Sequence, residues 1–575
     1  MGIPRLIPTL EPYVVHGGLN NEHVVIDGPA LAYHILYICN RHGIPQPSYK
    51  LLGETTVAWL DELTRRGVGV DAIYFDGYLP KGKEPVRMER MIKSLSQLKA
   101  AHASETNGFF PSYFSVANEV APVLFSAVKP PGKPPLPPSF HVPAIIDALR
   151  FSPRYNKIVI LVPGEADAYC AQHLSQSGGT VLTSDSDLLV HDLGKGSVVF
   201  LRDIYLDDQS NLACASFSPS HICEKLKLAS SAEMCRFAYE RKRSAHSTLP
   251  QLLQECTQPI TDQTGYTEFC HEYLDHVVAP IPTSSYGKEI EIGSLDPRIS
   301  EMILQLGPQS GHMHTISDPK MFLPILLESP SRGNAWEQST PIRQLAYTVA
   351  RWIIPGALTT VQEYRRVNTL AQKGRQVPLL PQKEAKAWSH ELARLMTMIR
   401  AGSQVDITRA WYILCLTLDI RYSHEVGKRS HSLQILEESL QAPTFGKITW
   451  DTLHFVAHLQ AAFYSFRLLK QIISLGQLQR TLPELNDMLS SLPPLAEFPD
   501  VERTIVLLQR SNEGQIYKAI SRLVPLENAG IDAVPKRTAK DKKKRKVGKN
   551  DAPKRQNNSA KSSSRNFFDV LSQSS

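Results

Sequence analysis

The stretch KIVILVPGEADAYCAQHLSQSGGTVLTSDSD, residues 157–187, decides the fold. It predicts a buried strand at Lys157–Val162, a helix at Glu165–Ser175 and a second strand at Thr180–Thr183. Acidic residues follow each strand. Carboxylates that converge repel one another, and a divalent cation such as Mg²⁺, which prefers oxygen ligands, relieves that repulsion. The stretch therefore predicts a metal site on an α/β fold.

The alternation of strands and helices extends over the first 210 residues. Further strands are predicted at Glu22–Asp27, Asp71–Asp76 and Ser197–Leu201, and helices at Pro29–Asn40 and Glu54–Arg66. Continuous apolar strands between helices indicate a buried, largely parallel sheet. In such sheets ligands gather at the carboxyl ends of the strands, which is where most of these acidic residues fall.

Each carboxylate also has an ordinary interpretation. Asp27 and Asp76 each precede a glycine and could close turns after strands. Glu165 could complement a helix dipole, and Asp185 with Asp187 could share an exposed face. These separate interpretations do not explain why all of the acidic residues fall at one predicted sheet edge, beside apolar strands. The predicted site comprises Asp27, Asp76, Glu165, Asp167, Asp185 and Asp187.

A nest of carboxylates indicates phosphoryl chemistry, since paired divalent ions can clamp both oxygens of an in-line phosphodiester displacement. An acidic site needs cations against a polyanionic substrate. A basic segment follows Asp76 and could hold phosphates, although a solvated helix face explains it as well. Its cations are Lys81, Lys83, Arg87, Arg90 and Lys93.

The ordered motifs resemble those of the flap endonuclease/XPG superfamily, which has a PIN-like α/β nuclease domain. They are Met1-Gly2-Ile3, Val25-Ile26-Asp27-Gly28, Tyr74-Phe75-Asp76-Gly77, Gly164-Glu165-Ala166-Asp167-Ala168 and Thr183-Ser184-Asp185-Ser186-Asp187. The Ser-Asp-Ser-Asp form, with His191-Asp192-Leu193 after it and a long helical C-terminal half, is most similar to the Asteroid branch.

The resemblance implies a catalytic role for all six carboxylates. Asp27, Asp76, Glu165 and Asp185 would bind a first Mg²⁺ or Mn²⁺, and Asp167 and Asp187 would help to hold a second. The free amine at Gly2 would lie near the active site, and the basic residues after Asp76 would contact the substrate strand. The implied activity is structure-specific cleavage of DNA, with a role in DNA repair.

The sequence departs from the superfamily pattern at two points. The usual further Asp, in a Gly-x-Asp-Tyr motif that opens a helix–hairpin–helix element, is absent from Lys225–Arg243. Asp167 also stands where Glu is commoner. The first metal site is therefore better supported than the second. A non-catalytic nuclease scaffold that binds nucleic acid or protein, and an RNA-directed PIN-type nuclease, stay open as alternatives.

The remainder of the chain suggests three further regions. We predict a nuclease domain over 1–210 with a gateway or arch insertion at 80–140, an irregular connection over 211–335, a helical domain over 336–530 and a disordered basic tail over 531–575. Helices are expected at Pro341–Ile353, Lys383–Ile399, Asp406–Arg421, Trp450–Leu475 and Val501–Leu508, with no catalytic constellation among them. No apolar run suits a bilayer span, so no membrane partner is expected.

Basicity is concentrated in the tail. Residues 535–565 contain thirteen Lys or Arg and two Asp, whereas the whole chain carries a formal net charge of +7, so the body is mildly acidic. The run Lys542, Lys543, Lys544, Arg545 and Lys546 predicts nuclear localisation or a nonspecific nucleic-acid arm. Phe567, Phe568 and Leu571 near the end suggest a protein-docking motif. Nucleic acid, with DNA preferred over RNA, is the expected partner.

Overall fold

The structure is a computed structural model of the 575-residue chain. It describes residues 2–524 except 115–122, 126–135, 307–317, 355, 357, 403–404, 442–445 and 477. The predicted localisation run at 542–546 and the docking residues Phe567, Phe568 and Leu571 lie outside the described residues, as do residues 115–122 and 126–135 of the 80–140 insertion.

The strands are β1 (Val15–Gly18), β2 (His23–Asp27), β3 (Gly69–Asp76), β4 (Val159–Val162), β5 (Thr180–Thr183), β6 (Ser197–Phe200), β7 (Tyr205–Leu206), β8 (Leu212–Phe217), β9 (Lys320–Phe322), β10 (Thr360–Tyr364) and β11 (Arg375–Pro378). The helices are α1 (Leu6–Leu10), α2 (Gly28–Arg41), α3 (Tyr49–Arg65), α4 (Glu84–Ser104), α5 (His141–Phe151), α6 (Ala166–Ser177), α7 (Pro219–Leu226), α8 (Ser231–Arg243), α9 (Leu249–Thr257), α10 (Gln263–Tyr273), α11 (Pro297–Gln305), α12 (Thr340–Ile353), α13 (Gln382–Gly402), α14 (Ile407–Glu425), α15 (His431–Gln441), α16 (Trp450–Leu475), α17 (Pro483–Ser490), α18 (Val501–Leu507) and α19 (Arg510–Ser521).

The main sheet confirms the predicted α/β architecture. Its order is β1-β8-β6-β5-β2-β3-β4, and β2 to β6 are mutually parallel, while β1, β7 and β8 add antiparallel pairs. The chain runs outward from β2 through β3 to β4 and then returns to the other side of β2 as β5. This change of direction between β2 and β5 opens a crevice at their carboxyl ends, the usual ligand position in such sheets.

Alternating side chains in the strands supply both layers of the core. Val24 and Ile26 join the apolar cluster that contains α2, α3 and α5, whereas Val25 faces the cluster that contains α6 and α8. Successive residues of a strand point to opposite faces of the sheet. The apolar strands are therefore buried on both sides, and polar residues cluster at the strand ends.

The helical half packs against the α2–α3–α5 layer. The Tyr464 ring of α16 stacks on Phe140 with ring centroids 4.2 Å apart. In the same helix, Arg467 pairs with Asp147 of α5 at 2.7 Å. The apolar cluster on this face runs from Leu19 through α16 to Val524. Sheet and helical half therefore share a continuous core.

Helix α4 is anchored to the helical half. Leu95 and Leu98 of α4 pack in a cluster with Phe109 and Trp450, and the Trp450 indole donates to the Glu105 carbonyl at 2.7 Å. The described part of the predicted arch is therefore a packed helix.

Residues 211–335 differ from the irregular connection that composition suggested. This region contains β8, the five helices α7 to α11, and β9. These helices are short, and local caps define their ends: Ser218 caps α7, Asp262 caps α10 and Asp296 caps α11. Helices α7, α9 and α11 have nine residues or fewer and carry too few turns for a clear apolar period.

Several predicted boundaries shift by a few residues. Helix α3 begins at Tyr49 rather than Glu54, because the Ser48 hydroxyl accepts the Leu51 N–H at 3.2 Å and caps the helix. Within the described residues, no helix combines the length and apolar character that crossing a membrane requires.

Candidate metal centre at the carboxyl edge of the sheet

Two of the predicted site residues end strands and also cap helices. Asp27 ends β2, is only 5% exposed, and accepts the Ala30 N–H at 3.1 Å and the Thr183 hydroxyl at 2.7 Å. Asp76 ends β3 and accepts the Ala166 N–H at the start of α6 at 2.7 Å. Each carboxylate is thus fixed on a rigid element, and Asp76 ties β3 to the following acidic motif.

The loop after β5 carries the second acidic pair. The Thr183 hydroxyl accepts the Asp185 N–H at 3.0 Å while it donates to Asp27, so one buried hydroxyl couples the ends of β2 and β5. The Asp187 N–H lies 3.4 Å from the Asp185 carboxylate. This loop is therefore ordered by its own polar side chains.

The N-terminal segment lies directly on this loop. The Ile3 N–H donates to the Ser186 hydroxyl at 2.9 Å and to the Asp187 carboxylate at 3.1 Å. A Cβ on Gly2 would lie 1.9 Å from the Ser186 Oγ and 2.9 Å from the Asp185 Oδ1. Gly2 therefore lies next to the carboxylates, and any larger residue there would displace a neighbouring side chain or the backbone. The role of its free amine stays a prediction.

Glu165 and Asp167 occupy the start of α6. The Glu165 carboxylate pairs with the Lys83 ammonium at 2.8 Å, and both side chains are partly exposed. Asp167 lies in the first turn of the helix, where the pKa of its carboxyl is raised well above the usual value by burial and by the charges of Asp27 and Asp185.

The electrostatics identify one interacting group of carboxylates. Burial, then the charges of Asp76 and Asp185, raise the pKa of Asp27 to about 7 against hydrogen bonds that lower it. Burial and Asp185 raise the pKa of Asp187 to about 7. The pKa of Asp76 rises to about 6, chiefly through burial. The raised pKa values mean that too little positive charge lies near these aspartates to stabilise their ionised forms.

This donor set fits a hard divalent cation. Buried carboxylates that repel one another gain from an ion that neutralises them, and Mg²⁺ takes oxygen ligands. As placed, no three His, Cys, Asp or Glu side chains within the described residues enclose a common metal position. Ligation would therefore need side-chain rotations, including release of Glu165 from Lys83.

The predicted phosphate-binding cations lie in different environments. Lys83 lies at the carboxylates, whereas Arg87 pairs with Glu301 and lies over the Phe322 ring at 5.0 Å. Lys81, Arg90 and Lys93 are exposed on the turn before α4 and on α4 itself. Their nucleic-acid roles stay predictions, and Arg87 already has a structural one.

Residues 273–279 border the carboxylate group, although no sequence motif predicted that they would. The pKa of the Tyr273 phenol is raised by burial and then by the charge of Asp187. His276 meets the Tyr169 ring edge-on at 4.7 Å. The Ala279 N–H donates to the Pro163 carbonyl at 2.8 Å, and the Val277 carbonyl packs against Gly164. Only the tertiary contacts reveal this segment.

Asp203 is an acidic residue that could in principle replace the missing Asp of the Gly-x-Asp-Tyr motif. The charged groups that act on Asp203 are Arg202 and Glu11, and neither belongs to the carboxylate group. The stretch that departs from the superfamily, Lys225–Arg243, forms the end of α7, a turn with Lys227 in the left-handed region, and α8.

Comparisons with known proteins find similarity to the same superfamily that the motifs resemble. A family model described as "XPG domain containing" matches residues 137–379, which include both acidic motifs of 164–187 but exclude Asp27 and Asp76. Asteroid homolog 1 of Schizosaccharomyces pombe is 23% identical over 392 residues, and the alignment spans 65% of this chain and 65% of that protein. The chain thus spans just under two thirds of the length of this relative.

A solved structure is also similar in part. It is described as the catalytic core of Rad2 in complex with DNA substrate, is 13% identical, and matches 48% of this chain and 89% of that chain with a TM-score of 0.26. The chain is thus similar, over part of its length, to XPG-domain proteins and to an Asteroid homolog.

Proposed function

We propose that the protein is a nuclear, Mg²⁺-dependent, structure-specific endonuclease that acts on DNA with single-stranded or branched character in DNA repair. The observation that carries the proposal is the group of mutually repelling aspartates at the β2–β5 crevice. Such a group has no packing role that apolar residues would not serve better.

The residues have distinct roles in this proposal. Asp27, Asp76, Glu165 and Asp185 hold the first Mg²⁺ or Mn²⁺, and Asp167 and Asp187 contribute to a second. When bound, the metal supplies an activated water and charge stabilisation for phosphodiester hydrolysis. Lys83, released from Glu165, contacts a phosphate beside the cleaved bond. The exposed Lys81, Arg90 and Lys93 hold the backbone of the substrate strand.

A pair of variants on β3 tests the activity. Asp76→Ala removes a carboxylate at the carboxyl end of the strand, whereas Asp71→Ala removes one at its amino end, where Asp71 pairs with His23 near the surface. Flap, splayed, single-stranded and duplex DNA are incubated with Mg²⁺. Asp76→Ala and an Asp185→Ala/Asp187→Ala double variant should lose cleavage by at least a hundredfold, and Asp71→Ala should retain it. Equal cleavage by the double variant would overturn the proposal.

A second candidate is a nuclease-like scaffold that binds nucleic acid or protein without efficient catalysis. The ion pair between Lys83 and Glu165 favours it, because the lysine neutralises one of the proposed ligands. The absent acid of the Gly-x-Asp-Tyr motif has the same effect. Calorimetric titration with Mg²⁺ separates the candidates: one weak site together with no cleavage of any substrate supports the scaffold.

RNA is the remaining alternative substrate. Cleavage of RNA and DNA oligonucleotides of one sequence, under the same Mg²⁺ conditions, decides between them. Faster cleavage of the DNA supports the leading proposal, and cleavage of RNA alone replaces it with a PIN-type RNA nuclease.

The basic run and the terminal apolar residues of the tail are proposed to direct nuclear localisation and protein docking, respectively. Substitution of Lys542–Lys546 by alanine should move a fluorescent fusion out of the nucleus, while substitution of Phe567, Phe568 and Leu571 should leave localisation unchanged and remove a protein partner. Nuclear retention of the first variant contradicts the localisation proposal.

A further inference from the structure

Three histidines meet in the interior of the helical half, far along the chain from the carboxylates. They are His431 at the start of α15 and His454 and His458, four residues apart on α16. Their exposed fractions are 8%, 2% and 5%, respectively. Histidines are seldom buried together unless their ring nitrogens find partners.

Four ring nitrogens of this cluster lack such partners. Nδ1 of His431, Nδ1 of His454 and both ring nitrogens of His458 are buried with no hydrogen-bond partner. The Oδ2 of Asp419 on α14 and the Oγ of Ser432 are in the same condition. Asp419 Oδ2 lies 2.9 Å from His458 Nδ1, but without the alignment of a hydrogen bond. Leaving so many buried polar atoms unsatisfied would be costly.

We propose that His431, His454, His458 and Asp419 form a structural site for a transition metal of the zinc class, buried where α14, α15 and α16 meet. This site is independent of the proposed nuclease centre and uses different ligands. Imidazole nitrogen with one carboxylate oxygen is a common ligand set for Zn²⁺.

The spacing of the rings suits a tetrahedral ion. The ring centroids of His454 and His458 are 4.6 Å apart, those of His431 and His454 5.2 Å, and those of His431 and His458 6.0 Å. Two histidines on one Zn²⁺, with Zn–N bonds of about 2.0–2.1 Å, place their ring centroids roughly 5 Å apart. As the rings stand, their nitrogens do not enclose one point, and rotations of the side chains would aim them inward.

Neighbouring hydrogen bonds orient two of the proposed ligands, His431 and Asp419. The Nε2 of His431 lies 3.0 Å from the Asp451 carbonyl, which can only accept, so the proton resides on Nε2 and Nδ1 keeps its lone pair for a metal. Asp419 accepts the Ser430 hydroxyl at 3.0 Å through Oδ1, which leaves Oδ2 as the inward oxygen. Orientation of first ligands by such outer hydrogen bonds is typical of metal sites.

A small cavity adjoins the cluster. It has a volume of about 10 Å³ and is bordered by Asp419, Ser432 and His458, together with Gln338, Ser339 and apolar residues of α12, α14 and α16. This space suits one small atom or ion.

The test uses the full chain in an Asp185→Asn/Asp187→Asn background, so that metal bound by the proposed nuclease centre does not confuse the result. After removal of metal with a chelator, the protein is titrated with Co²⁺ and Zn²⁺. We expect one equivalent of Co²⁺ with the visible spectrum of tetrahedral coordination, displaced by Zn²⁺, and a rise in melting temperature with Zn²⁺ that Mg²⁺ does not reproduce.

Two double variants locate the site. His454→Gln/His458→Gln should lower bound zinc below a tenth of an equivalent. His390→Gln/His424→Gln, which alters two exposed histidines of α13 and α14, should keep the full equivalent. Circular dichroism checks that each variant folds. If the first variant fails to fold, the zinc-dependent melting and Co²⁺ spectrum of the background protein still decide. No metal binding there, or equal loss in both variants, overturns the proposal.

Discussion

The Lys83 ammonium lies 2.8 Å from the Glu165 carboxylate at the edge of the carboxylate group. This pair makes the lysine a competitor of any cation that Glu165 would bind. In a nuclease it also makes Glu165 and a substrate phosphate alternative partners of the same lysine. The relationship links metal binding to substrate binding, and it leads to the first prediction.

Lys83→Met should strengthen Mg²⁺ binding in the absence of DNA and weaken binding of single-stranded DNA. The gain should be about two- to fivefold, because a partly exposed ion pair contributes up to about 1 kcal/mol. Calorimetry measures the Mg²⁺ affinity, and Lys81→Met, which removes an exposed cation of the same turn, is the control. Weaker Mg²⁺ binding by Lys83→Met would show that the lysine does not compete.

The contribution of Asp27 and Asp187 to the stability of the metal-free protein should fall as the pH rises from 5 to 8. Asp27 and Asp187 have folded pKa values of about 7, above the ordinary unfolded value of about 3.9. The folded state therefore binds their protons more tightly, so this contribution to stability is complete below about pH 4 and is lost as the pH rises through 7.

Thermal melting in a chelator, compared with an Asp27→Asn/Asp187→Asn variant, measures this effect. The melting temperature of the variant minus that of the wild type should grow with pH, and Mg²⁺ should stabilise the wild type most at pH 8. A difference that is constant with pH contradicts the raised pKa values.

Gly2→Ala should disturb the loop that carries Asp185. The added methyl group would lie 1.9 Å from the Ser186 Oγ, so the serine side chain, the N-terminal segment or the loop must move. Overpacking of this kind typically costs about 1–3 kcal/mol, and we expect lower Mg²⁺ affinity with it. Gly17→Ala is the matched control, because a Cβ there meets nothing within 4 Å. Equal melting temperatures and metal affinities of the two variants would refute the contact.

Thr183→Val should destabilise the protein by about 1–3 kcal/mol. The hydroxyl is fully buried, donates to Asp27 and accepts from the Asp185 N–H, and valine satisfies neither group. Thr183→Ser keeps the hydroxyl and should recover most of the loss. Chemical denaturation measures both variants, and equal destabilisation by serine would point to lost packing instead.

Arg90→Ala/Lys93→Ala should weaken DNA binding with little change in stability. Both side chains are exposed on α4, and each lost phosphate contact lowers the slope of log affinity against log salt by about one. Arg87→Ala is the contrasting variant, since its pairing with Glu301 and its position over Phe322 predict a loss of stability. An unchanged salt slope for the double variant would remove α4 from the nucleic-acid surface.

The strands were largely predictable because their residues are buried on two faces. The run Val24-Val25-Ile26 distributes its side chains between the two core clusters, so an unbroken apolar pattern identifies the strand. The long helix Trp450–Leu475 has the predicted limits. Its start is marked locally, because the Thr449 side chain caps the helix. Helices α7, α9 and α11 escaped prediction because nine residues or fewer give too few turns for a periodic signal.

The sequence by itself determined the α/β architecture and the candidate carboxylates, because strand patterns and strand-end aspartates are local features. The tertiary structure alone decided which groups meet. The Ile3 N–H reaches Ser186 across 183 residues, Lys83 reaches Glu165, and His431 and Asp419 approach the His454–His458 pair from two other helices. Such pairings follow from how whole elements pack over long separations, which no local pattern encodes.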